Sequence, residues 1–205
     1  MAAELDIHCI EPVLIDITAE FVKTITGRQG YKAAVQSLGL NFGSVYRAGL
    51  QHIPATAAFF TDDLLAQARR IFMFDMLIGN ADRGHAKANV ALVNDQLLAY
   101  DHELAFSFAD LLSFARNPTP WIPNDFDAEM YRHHYFYNLL RGENNQFADI
   151  CALLTRFDEL FWQKAKALVP QDWQSSDIDI IQQHVSDIVL HKEEFAEQLT
   201  LILAA

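Results

Sequence analysis

The run Phe74-Asp75-Met76-Leu77-Ile78-Gly79-Asn80-Ala81-Asp82-Arg83-Gly84-His85-Ala86-Lys87-Ala88-Asn89, followed by Asp101-His102-Glu103, concentrates side chains able to do chemistry. Its order is helix, polar loop, short hairpin, acidic residue. Phosphoryl transfer with magnesium uses that set of parts. A loop Asp orients an attacking hydroxyl or takes its proton. An Asn after it offers magnesium a neutral oxygen, and a second Asp beyond a hairpin offers a charged one. Asp82, Asn89 and Asp101 are residues of those types in that order. Magnesium favours hard oxygen donors, and few protein ligands suffice where phosphates supply the others.

The same residues admit other readings. Asp82, Asn89 and Asp101 could form a capped loop and turn without chemistry. Asn80 suits the helix end, and Arg83 could bridge to Asp101 or Glu103. His85 and His102 could join Asp82 and Asp101 around a transition metal, as in a metal-dependent hydrolase, although no helical His-x-x-x-His or Cys pair accompanies them. Outside the run, His133 and His134 read as surface or packing residues, and His184 and His191 as solvated positions on a helix. Cys9 and Cys151 read as inert, buried thiols.

The elements that must position this run follow from periodicity. Thr61 is a good N-cap, Asp62 and Asp63 suit a first turn, and Leu64, Ala68, Ile71, Phe72 and Met76 recur at helical spacing. Gly79-Asn80 ends that helix. Asn89–Val93 and Leu97–Tyr100 read as strands joined by a turn at Asn94-Asp95-Gln96. Upstream, Ile10–Ile17 is a short apolar stretch. A helix capped by Asp16 or Thr18 runs to about Ile25, and another spans Tyr31–Ser37. Leu40–Pro54 reads as irregular, punctuated by Gly43, Gly49 and Pro54. Arg116–Asn124 reads as a loop. Helices are expected at Asp127–Leu140, Gln146–Leu168 and Ser176–Ala205, the last as one helix or two.

Composition narrows the partners. The chain has 205 residues, 51% hydrophobic and 20% charged, which supports one domain with a sizeable core. Eight glycines and six prolines are few, which favours helices. A net charge of −12 lacks the basic footprint of a protein that binds nucleic acid or an anionic membrane. No apolar run approaches bilayer length, and the acidic N-terminus is unlike a secretory signal. Two cysteines form no disulfide framework, so a reducing, cytoplasmic setting is expected.

Leu77–Arg83 and Tyr100–Phe106 together resemble the catalytic and metal-binding motifs of the HipA-like kinases and, more distantly, those of the phosphatidylinositol kinases. Those families share a loop of the type Leu-Ile-Gly-Asn-x-Asp-Arg with His, Lys and Asn following, and a second element of the type Ile-Asp-His-x-x-Ala-Phe. Trp121 and His133–Arg141 are also similar to the HipA-like C-terminal lobe, and the resemblance extends over Leu40–Leu168. It implies a mainly α, protein-kinase-like C-lobe with a small β-hairpin at the catalytic and metal loop. The whole chain, 1–205, would be that one domain: N-terminal helices and linker over 1–60, the motifs over 61–110, and a helical bundle over 111–205.

By the same resemblance, Asp82 is the catalytic base, and Asn89 and Asp101 hold Mg2+. His85 and Lys87 lie near the phosphates of ATP, and the γ-phosphate goes to a protein Ser or Thr. One departure stands out. The family usually carries its metal-binding Asn five residues after the catalytic Asp, and sometimes another at seven; here Lys87 stands at five and Asn89 at seven. A complete kinase also needs a strand-rich lobe with a Gly-rich loop and a strand Lys. No Gly-x-Gly-x-x-Gly occurs, Gly39, Gly43 and Gly49 are spaced too widely, and Lys23 and Lys32 are the only lysines before the motif. The N-lobe is therefore expected to be absent, very reduced, or supplied by a partner chain that completes or regulates the site. A kinase-like binding or regulatory module without catalysis is the alternative. The last helix makes a homodimer conceivable.

Overall fold

The computed structural model describes residues 1–53, 59–142 and 146–204, so Pro54 and Ala205 lie outside the described residues. The chain is mainly α, about 53% helical with small sheets. It divides into two compact units, one made of Met1–Cys9 with Gln51–Ala205 and the other of Ile10–Leu50.

The smaller unit is a hairpin with two short helices between its strands. After β1 (His8–Cys9), which belongs to the larger unit, β2 (Pro12–Ile17) pairs antiparallel with β3 (Gly39–Ser44), from Pro12 opposite Ser44 to Ile17 opposite Gly39. Between the strands run α1 (Ala19–Thr24) and α2 (Tyr31–Gln36); the Thr18 side chain caps α1 by accepting from the Phe21 N–H at 3.1 Å. Lys23 and Lys32 are exposed on these helices. The expectation that Leu40–Pro54 is irregular fails at β3 and at β4 (Gln51–His52). Glycines within and beside β3 hid a strand whose identity rests on pairing with β2 rather than on side-chain alternation.

The larger unit is built on α3 (Asp62–Ile78). Thr61 caps it as expected, accepting from the Leu64 N–H at 3.3 Å. Its last two turns, Ile71 through Ile78, are buried on every side, so this is a central core helix rather than an amphipathic surface one. Gly79 ends it at φ 62, and a Cβ there would also press on the Phe108 ring at 3.2 Å. Next come β5 (Val90–Val93) and β6 (Gln96–Ala99), joined through Asn94 and Asp95 at φ 50 and 60, the backbone of a tight two-residue hairpin turn. The sheet order is β1-β6-β5-β4, with β1 parallel to β6 and the other pairs antiparallel. The Leu97 N–H donates to Gln67 Oε1 at 2.7 Å, tying the hairpin to α3.

The remaining helices are shorter than the periodicity predicted. Residues 127–140 divide into α4 (Asp125–His133), opened by an Asn124–Asp127 capping box, and α5 (Tyr137–Leu140). Residues 146–168 divide into α6 (Ala148–Ala152), a 3-10 turn at Leu153–Arg156, and α7 (Glu159–Leu168), where Asp158 caps the new helix. The last helix is two, α8 (Asp177–Leu190) and α9 (Lys192–Ala204), broken at His191. Phe147, Leu154, Phe157, Val185, Ile188, Phe195 and Leu199 join the α3 residues in one core. None of the described helices is long and apolar enough to cross a membrane.

Two histidines expected to be solvated are packed instead. His191 stacks on Trp121 at 3.7 Å, and His184 stacks on Phe108 at 3.9 Å while its Nε2–H donates to the Leu77 carbonyl at 3.0 Å. Burial pushes the His184 pKa down to about 4 from an ordinary 6.5. A depressed base binds its proton later in the folded state than in the unfolded one. The His184 contribution to stability is therefore complete above pH 6.5 and is lost as pH falls toward 4, at about 1.4 kcal/mol per pH unit. Buried His134 shifts in the same direction. Denaturant unfolding between pH 7.5 and 4.5 will show stability falling with pH, with a slope shallower in His184→Gln by about one proton.

Candidate functional site

The site begins with a carboxylate inside the core. Asp75, in the fully buried part of α3, is 0% exposed. Its Oδ2 accepts from Arg83 Nε at 2.5 Å and from His134 Nε2 at 2.9 Å, and its Oδ1 accepts from the Asn80 amide at 2.8 Å. Burial would raise this carboxyl, but Arg83 and His134 outweigh it and hold the group well below the usual carboxylate range. The His134 tautomer follows from its partners. Nδ1 accepts from the Phe136 N–H at 3.1 Å, so the ring is neutral with its proton on Nε2. Desolvation lowers its pKa, consistent with the neutral ring.

Arg83 carries the network outward. Its guanidinium donates to the Asn89 carbonyl and lies 3.0 Å from His102 Nε2, which must accept because Arg only donates. The expected bridge from Arg83 to Asp101 or Glu103 is thus corrected: the buried carboxylate at Asp75 outcompetes the exposed acids. Asp75, Asn80, Arg83, Asn89 and His134 are all the buried polar or charged side chains among the described residues, and all five belong to this one site. A buried polar group is tolerable only when paired, so such a concentration fixes the loop in one conformation. It also explains the break between α4 and α5. His134 leaves the helix to reach Asp75, and the Tyr135 N–H donates to the Arg83 carbonyl at 2.8 Å.

The hairpin presents the outer layer. Asn89 lies just before β5 and Asp101 just past β6, at the same end, with φ 47 and 55. Left-handed backbone is uncommon at non-glycine residues, and Asn and Asp are among the types that adopt it most readily. The Asn89 amide donates to Asp82 Oδ2 at 2.8 Å and lies 3.5 Å from the Asp101 carbonyl. Oxygens of Asp82, Asp101 and Glu103 lie within 4.8 Å of one another. The Lys87 ammonium sits among them, 2.7 Å from Asp82, 2.9 Å from Asp101 and 3.1 Å from Glu103. Bonds to those three carboxylates raise its pKa.

Four of the residues singled out from the sequence, Asp82, Lys87, Asn89 and Asp101, therefore meet. His85 is exposed beside Asn138 and Tyr135, with the Asn138 amide 3.4 Å from its Nε2. The transition-metal grouping is not formed. His85 and His102 are absent from the acid cluster, and the His102 ring nitrogen is engaged by Arg83. Sequence reasoning missed Asp75, Glu103 and His134. The signal for Asp75 is a lone charge inside the apolar run Ile71–Ile78; no comparable signal separates buried His134 from exposed His133. Cys151 is buried as expected, whereas Cys9 is only half-buried; desolvation pushes their thiols up to about 12 and about 11.

No curated protein and no solved structure matched the chain. A family described as HipA-like kinase matches residues 1–199, which takes in the loop, the hairpin and the helices around them. A match of that extent, on a chain carrying this loop-and-hairpin site, places the protein in the HipA-like kinase family.

Proposed function

We propose that the chain is the C-lobe of a HipA-like phosphotransferase that passes the γ-phosphate of ATP to a protein Ser or Thr hydroxyl. The observation that carries this reading is the meeting of Asp82, Asn89 and Asp101 at one end of the hairpin, beside a buried network that holds the Asp82 and Asn89 backbones. The acid cluster offers hard oxygens and no nitrogen or sulfur, a donor set suited to magnesium. Asp101, with the Asn89 amide oxygen, would hold the ion, which when bound neutralises phosphate charge. Both Asn89 and Lys87 bond to Asp82 through Oδ2, so Oδ1 is the oxygen left to orient a hydroxyl or accept its proton. Lys23 and Lys32 stand on short helices rather than on a strand, which favours a partner chain for the nucleotide-covering lobe.

The test is ADP release from ATP with and without magnesium. Magnesium-dependent release is the expected result, and its absence together with an absence of nucleotide binding would overturn the reading. A second reading, a kinase-like binding or regulatory module, is favoured by one observation: an ammonium stands among the carboxylates where a ligand to the ion is usual. It predicts no magnesium-dependent nucleotide binding.

A further inference from the structure

We infer that Lys87 is a tethered cation that competes with the divalent ion for the Asp82, Asp101 and Glu103 oxygens, so that the ion loads only when Lys87 leaves. This inference rests on the phosphotransferase reading above. Three carboxylates within 4.8 Å of one another repel unless a cation stands between them. The ammonium does so, donating to Asp82 and Glu103 at 2.7 and 3.1 Å and pairing with Asp101 at 2.9 Å. It has three donors and no acceptor, so three acids saturate it.

Magnesium binds oxygen at about 2.0–2.1 Å. An ion on these oxygens would therefore occupy the space of the ammonium and repel it. The two occupants are mutually exclusive. Lys87 is nonetheless free to move. Its side chain is 48% exposed on a flexible stem, and its backbone is held by a bridge to Gly84. Phosphate oxygens of an arriving nucleotide would give the displaced ammonium a new anionic partner. Lys87 thus makes the site weak for the ion alone and stronger for ion and nucleotide together.

The experiment is calorimetric titration of Mn2+ alone into the wild-type chain, Lys87→Met, and Lys87→Met combined with Asp101→Asn. Far-UV spectra and thermal transitions report that each variant folds. Lys87→Met is expected to bind Mn2+ about tenfold more tightly than wild type or better, since a positive charge a few ångströms from the ion has gone. Its melting temperature should rise with Mn2+ more than that of wild type, and the second substitution should remove the gain. Equal affinity in wild type and Lys87→Met would overturn the inference while leaving the site reading intact. No Mn2+ binding by either protein would overturn both.

Discussion

Asp75→Ala will destabilise the protein by about 3–5 kcal/mol, the range for breaking a buried ion pair from one side. The substitution leaves the Arg83 guanidinium, 1% exposed, without its carboxylate, and strips acceptors from His134 and Asn80. Asp75→Asn keeps the shape and an acceptor oxygen but not the charge, so it will cost nearly as much. The loss is larger than truncating a core side chain of similar size would suggest, because an uncompensated charge stays buried. Denaturant unfolding measures it directly. A loss below about 1 kcal/mol, typical of an exposed pair, would contradict the reading of Asp75 as the anchor of the site.

Asp82→Ala will do the reverse, sparing the fold and removing the chemistry. Asp82 is partly exposed, 19% at its side chain, and its partners are the half-exposed Lys87 ammonium and the Asn89 amide. Stability should change by no more than about 1 kcal/mol. Turnover should fall by about 10²–10⁴-fold, the usual contribution of a positioned proton acceptor. ADP release by wild type and variant at saturating magnesium gives the ratio. A variant that retains wild-type turnover would remove Asp82 from the catalytic role.

The contrast between these two aspartates shows what the sequence made legible. Asp82 and Asp101 are visible because the roles proposed for them follow from order along the chain: acid, amide, hairpin, acid. The hairpin itself was readable from Asn94-Asp95 between two apolar runs, and α3 from Thr61 and the spacing behind it. Asp75 was visible as a letter but not as an anchor, because its partners Arg83 and His134 become neighbours only when the loop and the α4–α5 break fold against α3. The same reason hid that break. Periodicity continues through residues 127–140, and the helix ends where His134 reaches Asp75 and the Tyr135 N–H bonds to the Arg83 carbonyl. Strand β3 was invisible because its partner lies on the far side of two helices in sequence. Glu103 is legible as an acid beside the motif but not as a partner of Lys87, because an exposed acid there resembles any surface charge until the fold brings the ammonium to it.

On the proposed function, the chain holds magnesium and ATP through Asp101. The measurement that tests it most directly is an ATP titration, with and without magnesium, followed by the melting temperature of wild type and Asp101→Asn. Ligand at about 100 times its dissociation constant adds roughly 2.7 kcal/mol, enough to raise the midpoint by several degrees. The expected result is a rise that needs magnesium and vanishes in Asp101→Asn. A rise of equal size in the variant, or none in wild type, would contradict it.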